Sequence, residues 1–221
     1  MDATDPRPMS RTAKFAAIAA LSAIGLIVTA TLATLIVTKK FVTVAGSMSP
    51  ALEPGEYVAF APYWLIGEPQ RGDVATFWTN ANSDSRTVWI KRIIGVPGDF
   101  IALHEGEVLL NGEPVPRREI PPVTLQDWPL PQPAFEETLP SGPTYVVLDL
   151  DPQGQLDNTA EVEVPPGKYF VMGDNRDNSY DSRSEKVGLV SRDDLIGKAV
   201  IRYFSADTTG IRFDRIGTRV R

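Results

Sequence analysis

Residues 172–183 read MGDNRDNSYDSR and follow directly on a short apolar run at 168–171. Gly, Asn, Asp and Ser accept left-handed backbone angles and hydrogen-bond their own main chain, so this composition is typical of a tight turn. A calcium loop fits poorly, because counting from either Asp174 or Asp177 fails to give the oxygen ligands and glycine of an EF-hand. We therefore interpret the turn as a wall of an active site, with a purely structural turn as the alternative.

The composition excludes several kinds of site. The 221 residues contain no cysteine and one histidine, which excludes disulfides, thiolate nucleophiles and multi-histidine zinc sites. His104 falls in the polar sequence LHEGE at 103–107, which predicts a solvated hairpin turn, and is a poor candidate for a catalytic base. The net charge of −6 and the lack of a long basic run indicate no nucleic-acid partner.

The N-terminal region predicts a membrane anchor. Residues 16–37 are 22 consecutive positions without a charge, and about 20 such residues cross the hydrocarbon core. A cleavable signal peptide usually has a shorter apolar region, of about 7–15 residues, and ends in a cleavage site. Here the apolar stretch runs into Lys39 and Lys40 instead. We expect a transmembrane anchor over 16–37 that follows a cytoplasmic tail over 1–15.

The rest of the chain, 41–221, predicts a mostly β domain of antiparallel sheets, because short apolar runs alternate with Gly, Pro, Asn and Asp. Residues 113–143 hold nine of the 19 prolines and show little periodicity, so we expect a Pro-rich insertion over about 113–160. The predicted strands are 41–44, 57–61, 73–78, 87–94, 101–103, 108–110, 144–148, 168–171 and 197–204.

Ser47 is a candidate nucleophile. It lies in VAGSMSP at 44–50, ten residues after Val37, so it is expected near the membrane surface. Gly46 permits a sharp turn before the serine, and Pro50 stiffens the chain after it. An ordinary loop after an anchor would also explain this sequence.

Lys91 is the candidate base. In a strand over 87–94, alternate residues share a face, and both faces of this strand are mostly apolar. Lys91 shares its face with Trp89 and Ile93 and is therefore expected where a charge is poorly solvated. Burial lowers the pKa of a lysine, and an uncharged lysine can activate a serine. The alternatives are that its stem carries the amine to water or that a carboxylate pairs with it.

These segments together resemble the bacterial type I signal peptidases, which are serine proteases with a Ser-Lys dyad. The resemblance covers nearly the whole chain, and four motifs in the family's order make it specific. They are GSMSP at 46–50, RGDV at 71–74, IKRIIGVPGD at 90–99 and GDNRDNSYDSR at 173–183. Gly188 and LIGK at 195–198 are similar to the family's closing segment.

The resemblance implies a catalytic role for Ser47 as nucleophile and Lys91 as general base. It also implies that the Ser47 backbone N–H and Met48 contribute to the oxyanion and substrate site. The supporting residues implied in the same way are Ser179, which would orient the Lys91 amine, the pair of Asp181 with Arg183, and the pair of Asp174 with Arg92.

The family also implies the substrate and the location. Its members remove signal peptides from exported preproteins after small residues at −1 and −3, without a metal or organic cofactor. This chain is accordingly expected to act as a monomer on the lipid bilayer, as a single-pass protein of the bacterial inner membrane with its catalytic domain on the extracytoplasmic side. One departure is Ala45, where many relatives carry a serine whose hydroxyl helps to bind the oxyanion.

Three alternatives remain at this stage. A related Ser-Lys peptidase that matures another substrate, such as a conjugative pilus subunit, would share the dyad. A self-cleaving Ser-Lys repressor would share it too, but needs a DNA-binding domain where this chain has an apolar segment. A membrane-tethered binding protein with an inactive site would keep the fold without the activity.

Overall fold

The computed structural model describes residues 10–81, 85–125, 128–151 and 153–220, and the side chains of 30–36 are outside this description. The chain divides into two compact units, one ending at Thr38 and the other spanning Lys39–Arg221. Residues 1–9 of the tail predicted over 1–15 lie outside the described residues.

The first unit contains one long helix, α1 (Arg11–Val37). It begins five residues before the apolar stretch predicted over 16–37, because Arg11 and Lys14 are good helix formers and need not end a helix. Its 27 residues give a length of about 40 Å at 1.5 Å per residue, more than the ~30 Å of a bilayer core. Within the described residues, the stretch Arg11–Thr29 is long and apolar enough to cross a membrane.

The second unit consists mainly of antiparallel β-sheet, as the sequence predicted. All nine predicted strands have an observed counterpart. A four-residue helix, α2 (Tyr63–Ile66), follows the second strand. The strands are β1 (Lys39–Val42), β2 (Glu56–Pro62), β3 (Val74–Thr79), β4 (Thr87–Gly95), β5 (Phe100–His104), β6 (Glu107–Leu110), β7 (Glu113–Pro114), β8 (Arg117–Val123), β9 (Gln132–Thr138), β10 (Thr144–Leu148), β11 (Val162–Glu163), β12 (Lys168–Met172), β13 (Val190–Ser191), β14 (Leu195–Asp207) and β15 (Gly210–Ile211).

The largest sheet carries Lys91 and Arg92, both in β4. Its strand order is β1-β2-β14-β3-β4-β12-β13, with β15 paired to β14. Strand β4 is therefore interior, with β3 on one side and β12 on the other. In this register Lys91 lies opposite Ala75 of β3, and Arg92 lies opposite both Val74 of β3 and Met172 of β12.

Two smaller sheets complete the unit, with orders β10-β9-β8 and β11-β5-β6-β7. The Pro-rich stretch over 113–143 thus contains the two-residue strand β7 and the longer strands β8 and β9, where the sequence showed little periodicity. Pro121 and Pro122 are tolerated in β8 because it is an edge strand and because its pairing with β9 is interrupted by a register shift between Ile120 and Val123.

Apolar side chains of several strands pack into separate buried clusters. One cluster includes Ile94 of β4 with Phe170 and Met172 of β12, and joins the large sheet to the sheet of β5 and β6. Another contains Met48 and Leu52 and anchors the segment after Ser47 to the large sheet. The turn that carries Ser47 is therefore held on one side by buried apolar contacts.

Candidate active site

Ser47 lies in the middle of a single turn of 3₁₀ helix, Gly46–Met48. The Ser49 N–H donates to the Gly46 carbonyl at 3.1 Å, and Met48 is only 2 % exposed. The turn after β12 also hydrogen-bonds to the Gly46–Met48 turn. The Asn175 N–H donates to the Ser47 carbonyl at 3.1 Å, and the Asn175 side-chain amide donates to the Gly46 carbonyl at 3.2 Å. The backbone on either side of the Ser47 hydroxyl is therefore fixed.

Gly173 allows the two segments to approach so closely. A Cβ at this position would lie 2.5 Å from the Ser47 carbonyl oxygen and would also overlap the side chain of Ser179. Only glycine leaves this space open. Gly173, the first residue of the GDNRDNSYDSR motif, thus allows both the Ser179 side chain and the Ser47 carbonyl to pack against its Cα.

Lys91 is buried, as the alternating pattern of its strand predicted. Only 4 % of the residue is exposed, and its amine lies 5.8 Å from the centre of the Trp89 ring. Burial lowers the pKa of Lys91 from its ordinary 10.5 to about 8. The carboxylate of Asp181 acts in the opposite direction, and the guanidinium of Arg183 lowers the pKa further. At pH 7 the amine is therefore neutral in about one molecule in ten, far more often than a lysine with the ordinary pKa.

Ser47 and Lys91 line the same cavity, which has a volume of about 530 Å³. Its walls come from 42–45 and 47–48 on one side and from 87–91 on the other, with Tyr180 from the turn after β12. Valine, alanine, methionine, isoleucine and tryptophan dominate these segments, so the cavity is mostly apolar. Ala45, the position without the hydroxyl, is part of the lining.

The supporting residues form a buried network behind the cavity. The Ser179 hydroxyl donates to Asp181 Oδ2 at 2.6 Å, and the Gly173 N–H donates to the same oxygen at 2.9 Å. Arg183 Nε pairs with Asp181 Oδ1 at 2.9 Å. Burial alone would raise the pKa of Asp181, but Arg183 and Lys91 outweigh it and hold that pKa below its ordinary value. Asp181 is therefore an anion that orders both Ser179 and the backbone of the turn.

Arg92 and Asp174 also meet, on the opposite face of β4 from Lys91. Two hydrogen bonds of 2.7 Å join the guanidinium to the carboxylate, and Arg92 Nη1 donates to the Gly72 carbonyl at 2.9 Å. The Arg92 guanidinium stacks on the Tyr145 ring, 4.1 Å from its centre. Ser47, Met48 and Lys91 thus line one cavity, and the five supporting side chains form the contacts with one another described above.

The sequence did not reveal a third buried ion pair, between Arg176 and Glu137. Its hydrogen bonds include one of 2.7 Å from Arg176 Nη1 to Glu137 Oε1, and each side chain is 1 % exposed. Tyr145 donates to the same carboxylate at 2.8 Å. Glu137 belongs to β9, so the Pro-rich stretch contributes directly to the support of the turn. No local pattern signals a pair whose members lie 39 residues apart.

Two other groups lie outside the cavity. His104 is exposed at the end of β5, opposite Glu107 of β6, in keeping with the predicted hairpin. Asp149, Asp157 and Asp177 bring one carboxylate oxygen each within 4.8 Å of one another. Asp149 is paired with Arg117, and Asp157 lies 3.6 Å from Arg183. No local sequence pattern indicated that these three residues meet.

Comparison with known proteins agrees with the resemblance. The profile of the family described as "Signal peptidase, peptidase S26" matches residues 14–204. A signal peptidase I of Rickettsia akari (strain Hartford) is 39 % identical over 144 residues, which are 62 % of this chain and 53 % of the relative. A signal peptidase I of Rickettsia typhi (strain ATCC VR-144 / Wilmington) is 38 % identical over 148 residues, or 64 % of this chain and 54 % of the relative.

This chain spans about half the length of the curated relatives that it matches. Among solved structures, a signal peptidase I from Enterococcus faecalis V583 matches with a TM-score of 0.33 and 23 % identity, over 59 % of this chain and 96 % of that one. The family profile covers most of the chain, including the cavity, the lysine strand and the turn after β12. The chain belongs to the signal peptidase family, peptidase S26.

Proposed function

We propose that this protein is a membrane-anchored serine endopeptidase that removes N-terminal signal peptides from exported preproteins, with Ser47 as nucleophile and Lys91 as general base. The observation that carries the proposal is that a half-buried serine and a buried lysine with a lowered pKa line one apolar cavity. A neutral lysine amine can take the proton of a serine hydroxyl, which is otherwise a weak nucleophile.

The reaction has two halves. In the first, Lys91 accepts the Ser47 proton, the hydroxyl oxygen attacks the carbonyl carbon, and the amine of the mature chain leaves with a proton as an acyl-enzyme forms. In the second, water attacks the acyl-enzyme with Lys91 again as base, which releases the signal peptide. The Ser47 N–H, next to Met48, supplies a donor to the oxyanion, a kind of contact worth about 2.7–4 kcal/mol in other serine proteases.

Ser179 has the role of orienting Lys91. Its hydroxyl proton is committed to Asp181, which leaves oxygen lone pairs to accept an N–H of the neutral amine. The nitrogen lone pair of Lys91 is then directed away from Ser179. Asp181 and Arg183 hold Ser179, while Asp174 and Arg92 hold the start of the same turn.

The mostly apolar cavity, with valines and alanine along 42–45, favours substrates with small residues at −1 and −3. The same proposal includes α1 as a single-pass anchor in the bacterial inner membrane, a peptidase domain on the extracytoplasmic side, and a monomeric enzyme without a metal or organic cofactor. Its partners are then the bilayer and preproteins, and no nucleic acid.

The test is incubation of the purified full chain with one labelled preprotein, followed by location of the cut. We expect one cut, directly after an Ala-x-Ala sequence, in the wild type. Ser47→Ala and Lys91→Met should each abolish it while circular dichroism shows a folded protein. Turnover by either variant would contradict the dyad, and a cut elsewhere would indicate a different substrate class.

A further inference from the structure

A second cavity adjoins the one that holds Ser47 and Lys91. It has a volume of about 440 Å³ and is formed by residues 155–157, 176–180 and 183–184, which we call the polar cleft. Tyr180 lines both cavities, whereas Ser47 and Lys91 line only the first. Tyr180, which is 40 % exposed, is therefore common to the walls of both cavities.

The two cavities differ in chemistry. The walls of the first are mostly valine, isoleucine, methionine and alanine, with the ring of Trp89. The polar cleft presents carboxylates, amides and hydroxyls, including Asp177, Asn178 and Ser184. A surface of this kind binds a polar segment through hydrogen bonds more readily than it binds apolar side chains.

The polar cleft begins directly beside the nucleophile. The side-chain amide of Asn178 lies against Gly46, in the turn of Ser47. A Cβ added at Gly46 would lie only 3.3 Å from the Asn178 side-chain nitrogen. Asn178 is exposed, and its amide can both donate to and accept from a peptide main chain. A chain bound at Ser47 therefore meets Asn178 and Tyr180 as it leaves the first cavity.

An endopeptidase substrate extends on both sides of the bond that is cut. If the apolar cavity holds the residues before the cut, the residues after the cut need a separate path. An extended chain advances about 3.3 Å per residue, and cavities of about 300–1,000 Å³ hold ligands of drug size. The polar cleft is accordingly large enough for the first few residues of the mature chain.

We propose that the polar cleft binds the first residues after the cut, and that Tyr180 and Asn178 determine how well this segment is held. The inference rests on the proposed function, in which Ser47 cleaves a peptide bond at the mouth of the apolar cavity. Its substrate class is a polar, extended peptide segment at the start of the mature chain.

The test uses two peptides that share every residue before the cut. One ends in an amide after a single residue past the cut, and the other continues for four polar residues. Both release an α-amine, so the chemistry at Ser47 is the same and the ratio of their kcat/KM values reports only the segment after the cut. We expect the longer peptide to be favoured about tenfold by the wild type, equivalent to ~1.4 kcal/mol.

Tyr180→Ala and Asn178→Ala should each reduce this ratio to less than about twofold. Tyr203→Ala is the matched control, because Tyr203 is also 40 % exposed and lines neither cavity, and it should keep the wild-type ratio. A variant that merely disturbs Ser47 would slow both peptides equally and leave the ratio unchanged. A wild-type ratio near one, or an unchanged ratio in both Tyr180→Ala and Asn178→Ala, would overturn the inference.

Ser47→Ala separates this inference from the proposed function. If Ser47→Ala cleaves neither peptide and the ratio does not respond to Tyr180 or Asn178, only the role of the polar cleft is wrong. If Ser47→Ala still cleaves both peptides, the proposed function is wrong and the inference fails with it.

Discussion

Arg92 and Asp174 lie 82 residues apart in the chain and form an ion pair that is closed to solvent, with two hydrogen bonds of 2.7 Å and exposed side-chain fractions of 0 % and 1 %. The pair joins β4, the strand of Lys91, to the turn after β12, which carries Ser179. It therefore links these two segments through buried opposite charges.

Loss of one member of this pair should be strongly destabilising. Asp174→Asn leaves the Arg92 guanidinium buried without a counter-charge, and such a change typically lowers the free energy of unfolding by about 3–5 kcal/mol. Urea unfolding of the full chain measures it. The control is Glu136→Gln, which breaks the exposed Arg118–Glu136 pair and should cost less than about 1 kcal/mol. The double variant Arg92→Met with Asp174→Leu should recover part of the loss, because it removes both buried charges. Equal losses of unfolding free energy in Asp174→Asn and Glu136→Gln would contradict this account.

The rate of cleavage should rise with pH through the pKa of Lys91. Only the neutral amine acts as a base, and kcat/KM reports the ionisation of the free enzyme. We expect kcat/KM to rise with a midpoint near pH 8 and to level off about one pH unit higher, because burial lowers the pKa of Lys91 to about 8. Initial rates from pH 6 to 10 on one peptide measure the profile. A limb centred near 10.5 would mean that the base is a solvated lysine.

Stability should also depend on Lys91 over a defined range of pH. The pKa of Lys91 is lower in the folded chain, about 8, than the ordinary 10.5 of an unfolded lysine. Between these values the unfolded state binds more protons, so the free energy of unfolding rises with pH, by about 3 kcal/mol in total for this residue. Below about pH 8 Lys91 is protonated in both states, so the folded protein lacks this stabilisation and carries the full cost of a buried charge.

Lys91→Met removes the titrating group and should flatten this rise. The measurement is the difference in unfolding free energy between wild type and Lys91→Met, from urea unfolding at pH 7 and pH 10. The difference should favour the variant more at pH 7 than at pH 10. The exposed Lys39, replaced by Met, serves as control and should leave the pH dependence unchanged. A wild type and a Lys91→Met variant with parallel pH curves would show that Lys91 is not desolvated.

Removal of metal ions should leave the rate unchanged. The proposed reaction uses a serine hydroxyl and a lysine amine, so no step requires a metal-bound water. We expect kcat/KM to stay within about twofold of its initial value after dialysis against EDTA, since a tenfold loss would already correspond to ~1.4 kcal/mol of transition-state stabilisation. A larger loss that added Ca²⁺ or Mg²⁺ restores would assign a role to the carboxylates of Asp149, Asp157 and Asp177.

The sequence was sufficient for those parts of the site that depend on short-range pattern. Alternation along 87–94 predicted that Lys91 is buried, because apolar residues on both faces indicate an interior strand. The same reasoning found six strands of the large sheet, β1 to β4, β12 and β14, but not the two-residue strands β13 and β15. It did not find β8 and β9, since proline weakens the strand signal and tolerance of proline depends on which strand is at the edge.

Long-range partners could not be read from local pattern. Asp174 with Arg92 was expected only through the resemblance to a family, as was the short-range pair of Asp181 with Arg183. Arg176 with Glu137 was not expected at all, because a buried pair between distant segments leaves no spacing rule in the sequence. Tyr180 received no role from the sequence, and its place in the walls of two cavities follows from the three-dimensional path of the turn.

The contact of Glu137 with Arg176 restricts how the Pro-rich segment can vary. A surface loop could be shortened freely, but this segment places the Glu137 carboxylate against Arg176 in the turn after β12. Any version of the protein that trims the segment must supply a replacement carboxylate, or lose Arg176 together with it. We therefore expect differences in length to fall in the loops on either side of β9, while β9 itself is retained because it carries Glu137.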